Sequence, residues 1–278
     1  MKSLVIGGGE VGKSLYEVLS KRHECYIRDL DDFQMDGIEV LNICYPGRLE
    51  NFIEITKKYI KQYKPKLTII HSTVKPGTTR QCGEWVVHSP IHGKHPNLTQ
   101  GIMTFVKYVG SHNIYASYMA FKYLMDAGIR AEVVSSPEAS EISKILCTSY
   151  YGWNILFMKE VERICRQHNV PFTEIYARWN SYYNDGYDKL GMRQFQRPNL
   201  EPLPGRIGGH CVVENCDLLD SFITNTIKSR NKIYGNKESC ELGNRRAGIH
   251  QLKTHSRNKR FRGTTDGNLR CRQKQGKY

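Results

Sequence analysis

Lys2-Ser-Leu-Val-Ile-Gly7-Gly-Gly9-Glu-Val-Gly12 follows the first methionine and leads into a helical rhythm through Leu15, Val18 and Leu19. The apolar run fits a buried parallel strand, and the glycines form a GxGxxG turn. Each glycine has a physical reason. Gly7 permits the tight turn, Gly9 lets a pyrophosphate approach the backbone, and Gly12 allows close packing of helix on strand. The helix N-terminus then faces the phosphate charge, with Val11 beside it.

A second short strand is expected at Glu24–Ile27, ending in Arg28-Asp29-Leu-Asp31. Asp29 lies about twenty residues after Gly9, where a carboxylate accepts hydrogen bonds from a ribose 2′-OH and repels a 2′-phosphate. NAD is therefore the expected cofactor, although Arg28 is a basic neighbour that would favour the 2′-phosphate. S-adenosylmethionine or FAD remains the alternative for such a turn. Further strands at Val40–Cys44, Leu67–His71, Val106–Gly110 and Ala131–Ser135 alternate with helices at Glu50–Tyr63 and Ser117–Ala127. That alternation predicts an α/β fold with a Rossmann-type doubly wound parallel sheet, shortened between the second strand and Ile38.

Ser136-Pro137-Glu138 is a helix start, with a capping serine, proline in the first turn and an early acid. No proline follows before His168, and Ile142, Ile145, Leu146, Trp153, Leu156, Phe157, Val161 and Ile164 keep a helical period. The spacing predicts one long connecting helix and then an all-α domain. The expected division is 1–135 for a nucleotide-binding domain, 136–230 for a helical central domain and 231–278 for a basic tail. Lys144 and Thr148 share a face of the long helix. A Tyr/Asn-rich connection is expected at Ala177–Asp188, and one more helical stretch at Asp217–Lys228.

The formal charge of +14 over 278 residues sits almost wholly at one end. Residues 228–278 hold 15 Lys and Arg against three Asp and Glu. This tail lacks apolar periodicity and reads as solvated chain, with a nonspecific anionic partner as the other reading. There is no run long and apolar enough for a membrane helix, and no signal-peptide pattern at the N-terminus. Nine scattered cysteines show neither disulfide-framework nor metal-clip spacing, so the expectation is a reducing, cytoplasmic setting and no metal. Cys211 stands apart, behind Gly208-Gly209-His210 and before Val212-Val213. A cysteine on a glycine turn can meet a small substrate, and a nearby cation favours its thiolate. Residue type alone equally allows a buried structural cysteine.

Together these segments resemble the UDP-glucose/GDP-mannose dehydrogenase family of NAD-dependent nucleotide-sugar 6-dehydrogenases. The match runs through the GxGxxG, Asp29-Leu-Asp31, His71-Ser-Thr-Val-Lys-Pro-Gly-Thr-Thr79 and Ser89-Pro90. It continues in Ser140-Glu-Ile-Ser-Lys144, Glu160 and Pro204-Gly-Arg-Ile-Gly-Gly-His-Cys211, over about residues 1–225. The resemblance implies that a sugar C6 alcohol is oxidised twice by NAD through a cysteine thioester. Cys211 would then be the nucleophile, Lys144 the oxyanion's partner, and Thr73 a cofactor contact. It also implies a homodimer formed through the long helix, where Tyr150, Tyr151, Trp153 and Phe157 would supply apolar area.

The chain departs from the family pattern at several positions. Thr148 stands where the family has Asn, Asn215 where it has Asp, and Ile91 where it has the glutamate of S-P-E. His95 falls at or near a second family glutamate, so His95 or His92 is expected to take over proton transfer. The V-P-T-P turn has become Cys44-Tyr-Pro-Gly47, and apolar runs for a second nucleotide-binding domain are lacking. Three expectations follow: an active sugar-nucleotide dehydrogenase, a β-hydroxyacid-type dehydrogenase that needs Lys144 only, or an inactive NAD-binding relative.

Overall fold

The computed structural model describes residues 1–31, 34–93, 95–208 and 211–234; of the tail expected at 231–278, residues 231–233 instead end a helix and residues 235–278 lie outside the described residues. Five parallel strands form the main sheet: β1 (Lys2–Ile6), β2 (Glu24–Arg28), β3 (Val40–Ile43), β4 (Leu67–Ile70) and β5 (Val86–His88). Their order is β2-β1-β3-β4-β5. The register pairs Leu4 with Tyr26 on one side and with Leu41 on the other. Strands β6 (Lys107–Val109) and β7 (Ala131–Val133) pair separately, and an isolated bridge between His88 and Gly110 joins the two sheets.

Helices cover both faces, as parallel strands buried on two sides require. On one face, α1 (Glu10–Leu19), α4 (Leu98–Thr104) and α5 (Ile114–Asp126) enclose Val5, Leu15, Leu19, Ile69, Val87, Ile102 and Leu124. On the other, α2 (Phe52–Tyr63) and the short α3 (Thr78–Cys82) cover Leu4, Ile6, Leu41, Ile43 and Ile70.

The long helix α6 runs Pro137–His168, and its first turn is capped as expected: Ser136 Oγ accepts from Ala139 N at 3.1 Å. A buried carboxylate ties it to α3. Glu141 accepts from Gly77 N (2.6 Å), Thr79 N (2.8 Å) and Thr79 Oγ1 (2.6 Å) at the start of α3. Desolvation pushes the Glu141 carboxyl up, and the three donors pull against that rise.

Two expectations about the later chain need correction. Ala177–Asp188 is helical rather than a connection: a π-helical segment, Thr173–Arg178, continues into α7 (Trp179–Lys189). Contacts remote in sequence hold it there, since Arg197 lies 3.5 Å over the Tyr183 ring and Asn184 Nδ2 donates to Arg197 O at 2.8 Å. The expected single stretch at Asp217–Lys228 is broken. After the short α8 (Val212–Asn215) comes a 3-10 turn (Cys216–Leu218), and α9 (Phe222–Ile233) then restarts on a Ser221–Thr224 capping box.

Candidate functional site

Strand order reverses between β1 and β3, and a cleft opens beyond the carboxyl ends of β1, β3 and β4. Such a switch point is where open α/β sheets bind ligands. The cleft holds about 310 Å³ and is lined by Val11, the Cys44–Arg48 turn, His71, Ser72, Thr73, His95, Lys144, Cys211 and Asn215. Residues expected to act together from the sequence, over 200 positions apart, therefore share one wall-to-wall space.

The glycine loop leads into the cleft-lining Val11. A Cβ on Gly12 would lie 1.8 Å from Gly7 O, so helix and strand approach as closely as the sequence reading required. Around Gly9 a Cβ would meet nothing within 4 Å, which leaves the α1 N-terminus open to a phosphate-sized group. Asp29 Oδ1 accepts from Gly8 N at 3.0 Å, placing the carboxylate beside this loop. Arg28 points elsewhere. Its side chain is buried, donates to Tyr63 OH at 2.7 Å and stacks 5.2 Å from the Tyr59 ring centre. The basic residue beside Asp29 is thus spent inside the protein, and the expected counterweight to NAD is removed.

Cys211 lines the same cleft as Val11 and is carried by a segment with three anchors. Lys159 donates from Nζ to Leu203 O (2.5 Å) and Gly205 O (2.9 Å). Asn231 Oδ1 accepts from Ile207 N at 2.6 Å. Val212 and Cys216, one helical turn apart, bury themselves with Leu156 and Ile227. Gly152 makes room for them, because a Cβ there would sit 2.7 Å from Val212 Cγ1. With Val212 turned inward, Cys211 itself remains exposed to the cleft. Gly209 and His210 lie outside the described residues.

Three polar partners surround that thiol segment. His95 Nε2 lies 3.8 Å from Cys211 Sγ, and His95 Nδ1 lies 2.5 Å from Glu10 Oε2. Asn215 donates to Thr148 Oγ1 at 3.2 Å. Lys144 reaches the cleft half-buried from α6; burial pulls its pKa down, while the thiols of Cys147 and Cys211 push it back up. Lowered from the ordinary lysine range, it is a cation able to give up a proton more readily than a surface lysine.

Behind the cleft the floor is charged and buried. Lys107 donates from Nζ to Ser89 O (2.6 Å) and Pro90 O (3.1 Å), and burial brings it down to about 7. His88 is pushed to about 3 by burial, so it is neutral. Its Nε2–H then donates to Ser72 O at 3.1 Å, and Nδ1 accepts from Ser140 at 2.7 Å. His71 is held well below its ordinary value by burial and by Lys107. It packs between Ser89 O and Asn42, at 3.1 and 3.0 Å.

Of the two histidines expected to serve in proton transfer, the cleft takes His95 and not His92. The His92 ring sits 6.4 Å, centre to centre, from both Phe105 and Tyr108, and burial lowers it to about 4. Ile91 is buried and lines the cleft, an apolar wall where the resembled family has a carboxylate. Three site residues escaped the sequence reading. Glu10 was legible only as an acid in the first turn of α1, and the Arg48–Glu214 ion pair at the cleft wall joins segments distant in sequence.

No family model matches the chain, and no curated protein matches it in sequence. Solved structures share the fold. A UDP-D-ManNAc dehydrogenase from Pyrococcus horikoshii aligns with a TM-score of 0.64 at 17% identity, over 84% of this chain and 68% of that one. The UDP-N-acetyl-mannosamine dehydrogenase from Staphylococcus aureus gives 0.65 at 15%, over 91% of this chain and 72% of the other. A Mycobacterium tuberculosis 3-hydroxyisobutyrate dehydrogenase gives 0.62 at 11%, over 88% of this chain and 99% of that one.

Proposed function

We propose that this chain is an NAD-dependent nucleotide-sugar dehydrogenase that oxidises the C6 alcohol of a UDP- or GDP-hexose to the uronate. One observation carries the reading: Cys211, Lys144, Val11 and Thr73 line a single cleft at the strand-order reversal. The residues present suit NAD. Gly7, Gly9 and Gly12 leave the α1 N-terminus open for its pyrophosphate, Asp29 stands ready for a ribose hydroxyl, and Val11 and Thr73 flank it. NAD bound there would supply the hydride acceptor.

The chain's own groups do the rest. The Lys144 ammonium stabilises negative charge on the substrate oxygen as its proton passes to solvent water. Cys211 Sγ adds to the carbon of the resulting aldehyde, and the carbonyl electron pair moves to oxygen beside Lys144. After the second oxidation, water adds to the thioester carbon, the C–S bond breaks, and the two water protons pass to the departing Cys211 sulfur and to solvent, leaving the carboxylate. We further propose a homodimer through α6, since Tyr150, Tyr151 and Phe157 stand exposed on it.

A second reading has an observation of its own: this chain spans almost the whole length of a 3-hydroxyisobutyrate dehydrogenase. That chemistry would need Lys144 and no thiol. The test is NADH formation with a panel of UDP- and GDP-sugars and of short 3-hydroxyacids, using wild type, Cys211→Ala and Lys144→Met. Turnover of one sugar nucleotide, lost in both variants, supports the first reading. Hydroxyacid turnover lost only in Lys144→Met supports the second. NAD binding without reduction by any substrate would mark an inactive cofactor-binding protein.

A further inference from the structure

We propose that Glu10, His95 and Cys211 form a proton relay in which His95 takes the thiol proton and Glu10 positions the imidazole. The three residues arrive from separate segments: the first turn of α1, the loop after β5, and the residue before α8. Their contacts are in line, with Glu10 Oε2 2.5 Å from His95 Nδ1 and His95 Nε2 3.8 Å from Cys211 Sγ. A carboxylate facing Nδ1 only accepts, so Nδ1 carries the ring proton and Nε2 presents its lone pair to sulfur. The Sγ–H bond breaks and an Nε2–H bond forms. The pair changes from thiol and imidazole to thiolate and imidazolium without change in net charge, and Glu10 lies beside the new cation.

An exposed His–carboxylate pair would by itself contribute little stability. Glu10 and His95 side chains are 42% and 48% exposed, so the geometry is not explained by core packing. Other charged groups line the same cleft: Lys144 from α6, and the Arg48–Glu214 ion pair from the turn after β3 and from α8. Lys144 favours the thiolate as a standing positive charge. Among the described residues His95 alone brings an imidazole within reach of the thiol, so removing that ring separates its contribution from that of Lys144.

The relay rests on Cys211 being the nucleophile of the proposed function, but its test needs no sugar and no cofactor. The full chain is alkylated with iodoacetamide across weakly acidic to weakly alkaline pH, and each cysteine peptide is followed by mass spectrometry. Exposed Cys147 serves as the internal reference. At neutral pH Cys211 should react about tenfold faster than Cys147, with an acid limb set by an imidazole. His95→Gln should remove that limb and slow Cys211 about tenfold, leaving Cys147 unchanged. Glu10→Gln should shift the limb to lower pH because the imidazolium loses its counter-charge, and Glu10→Asp should restore it. An unchanged Cys211 rate and profile in His95→Gln overturns the relay, even if sugar oxidation proceeds. A Cys211→Ala variant that still turns over sugar overturns the proposed function and leaves the alkylation result to judge the relay.

Discussion

Asn215 donates from Nδ2 to Oγ1 of Thr148 at 3.2 Å, so two of the positions where the catalytic pattern departs from the resembled family touch each other. The threonine hydroxyl gives its own proton to Ile145 O at 2.9 Å, which leaves oxygen lone pairs for the amide. The pair is therefore satisfied as a neutral unit. Asn215 N also lies 3.4 Å from Cys211 O, one turn beyond the thiol-bearing residue.

A carboxylate at this position would put an anion beside a group that must become one. Asn215→Asp should disfavour the Cys211 thiolate and slow its alkylation at neutral pH by about three- to tenfold. The Tm should hold, because Thr148 can turn its hydroxyl to the new acceptor. An unchanged alkylation rate would show that charge at position 215 does not reach the sulfur.

The cofactor preference is open to a direct titration. Asp29 is exposed, bonded to Gly8 N and unopposed by Arg28, which is buried against Tyr63. Asp29→Ser should weaken NAD binding about tenfold or more, the worth of a charge-assisted hydrogen bond, and should narrow discrimination against NADP. Fluorescence titration of both reduced cofactors measures this. Equal NAD affinity in the variant would remove Asp29 from the site.

Glu141 should matter for stability more than for chemistry. An amide at 141 turns an NH2 toward donors at Gly77 or Thr79 and leaves at least one of them unpaired. Glu141→Gln should cost about 1–3 kcal/mol and lower the Tm by roughly 3–9 °C. A thermal melt at neutral pH decides it, and an unchanged Tm would mean that the tie between α3 and α6 contributes nothing net.

Acid should loosen the protein through its buried histidines. His88 is held down to about 3 and His71 well below its ordinary value, chiefly by burial. Unfolding lets both rings take up protons near pH 6.5. Their contribution is complete above that pH and is lost as the pH falls, by up to about 1.4 kcal/mol per pH unit for each group. Urea midpoints at neutral and mildly acidic pH should fall less steeply for His88→Gln than for wild type. Parallel slopes would mean that His88 is already protonated in the fold.

Much of this arrangement was legible because it is local. The strand, glycine turn and helix of residues 2–19 announce themselves through composition, and Ser136-Pro137 marks the start of α6 to within a residue. What failed depends on contacts remote in sequence. The helix over Trp179–Lys189 carries tyrosines and asparagines without an apolar stripe, and it is held by Arg197 on Tyr183. The site divided in the same way. Cys211 stood out by its glycine neighbours and Lys144 only through the resemblance to the family pattern, whereas Glu10 acquires a role only when His95, on a loop 85 positions away, meets it in space.

The most direct test of the central claim is the ratio of NADH formed to sugar nucleotide consumed, measured for wild type and Cys211→Ser. The account predicts twice as much NADH as sugar in the wild type, because the thioester route carries the substrate through both oxidations. Cys211→Ser should then stall, giving at most one NADH for each sugar. Full double oxidation at the wild-type rate in Cys211→Ser would contradict the account, and the cleft's chemistry would have to be assigned to Lys144 without the thiol.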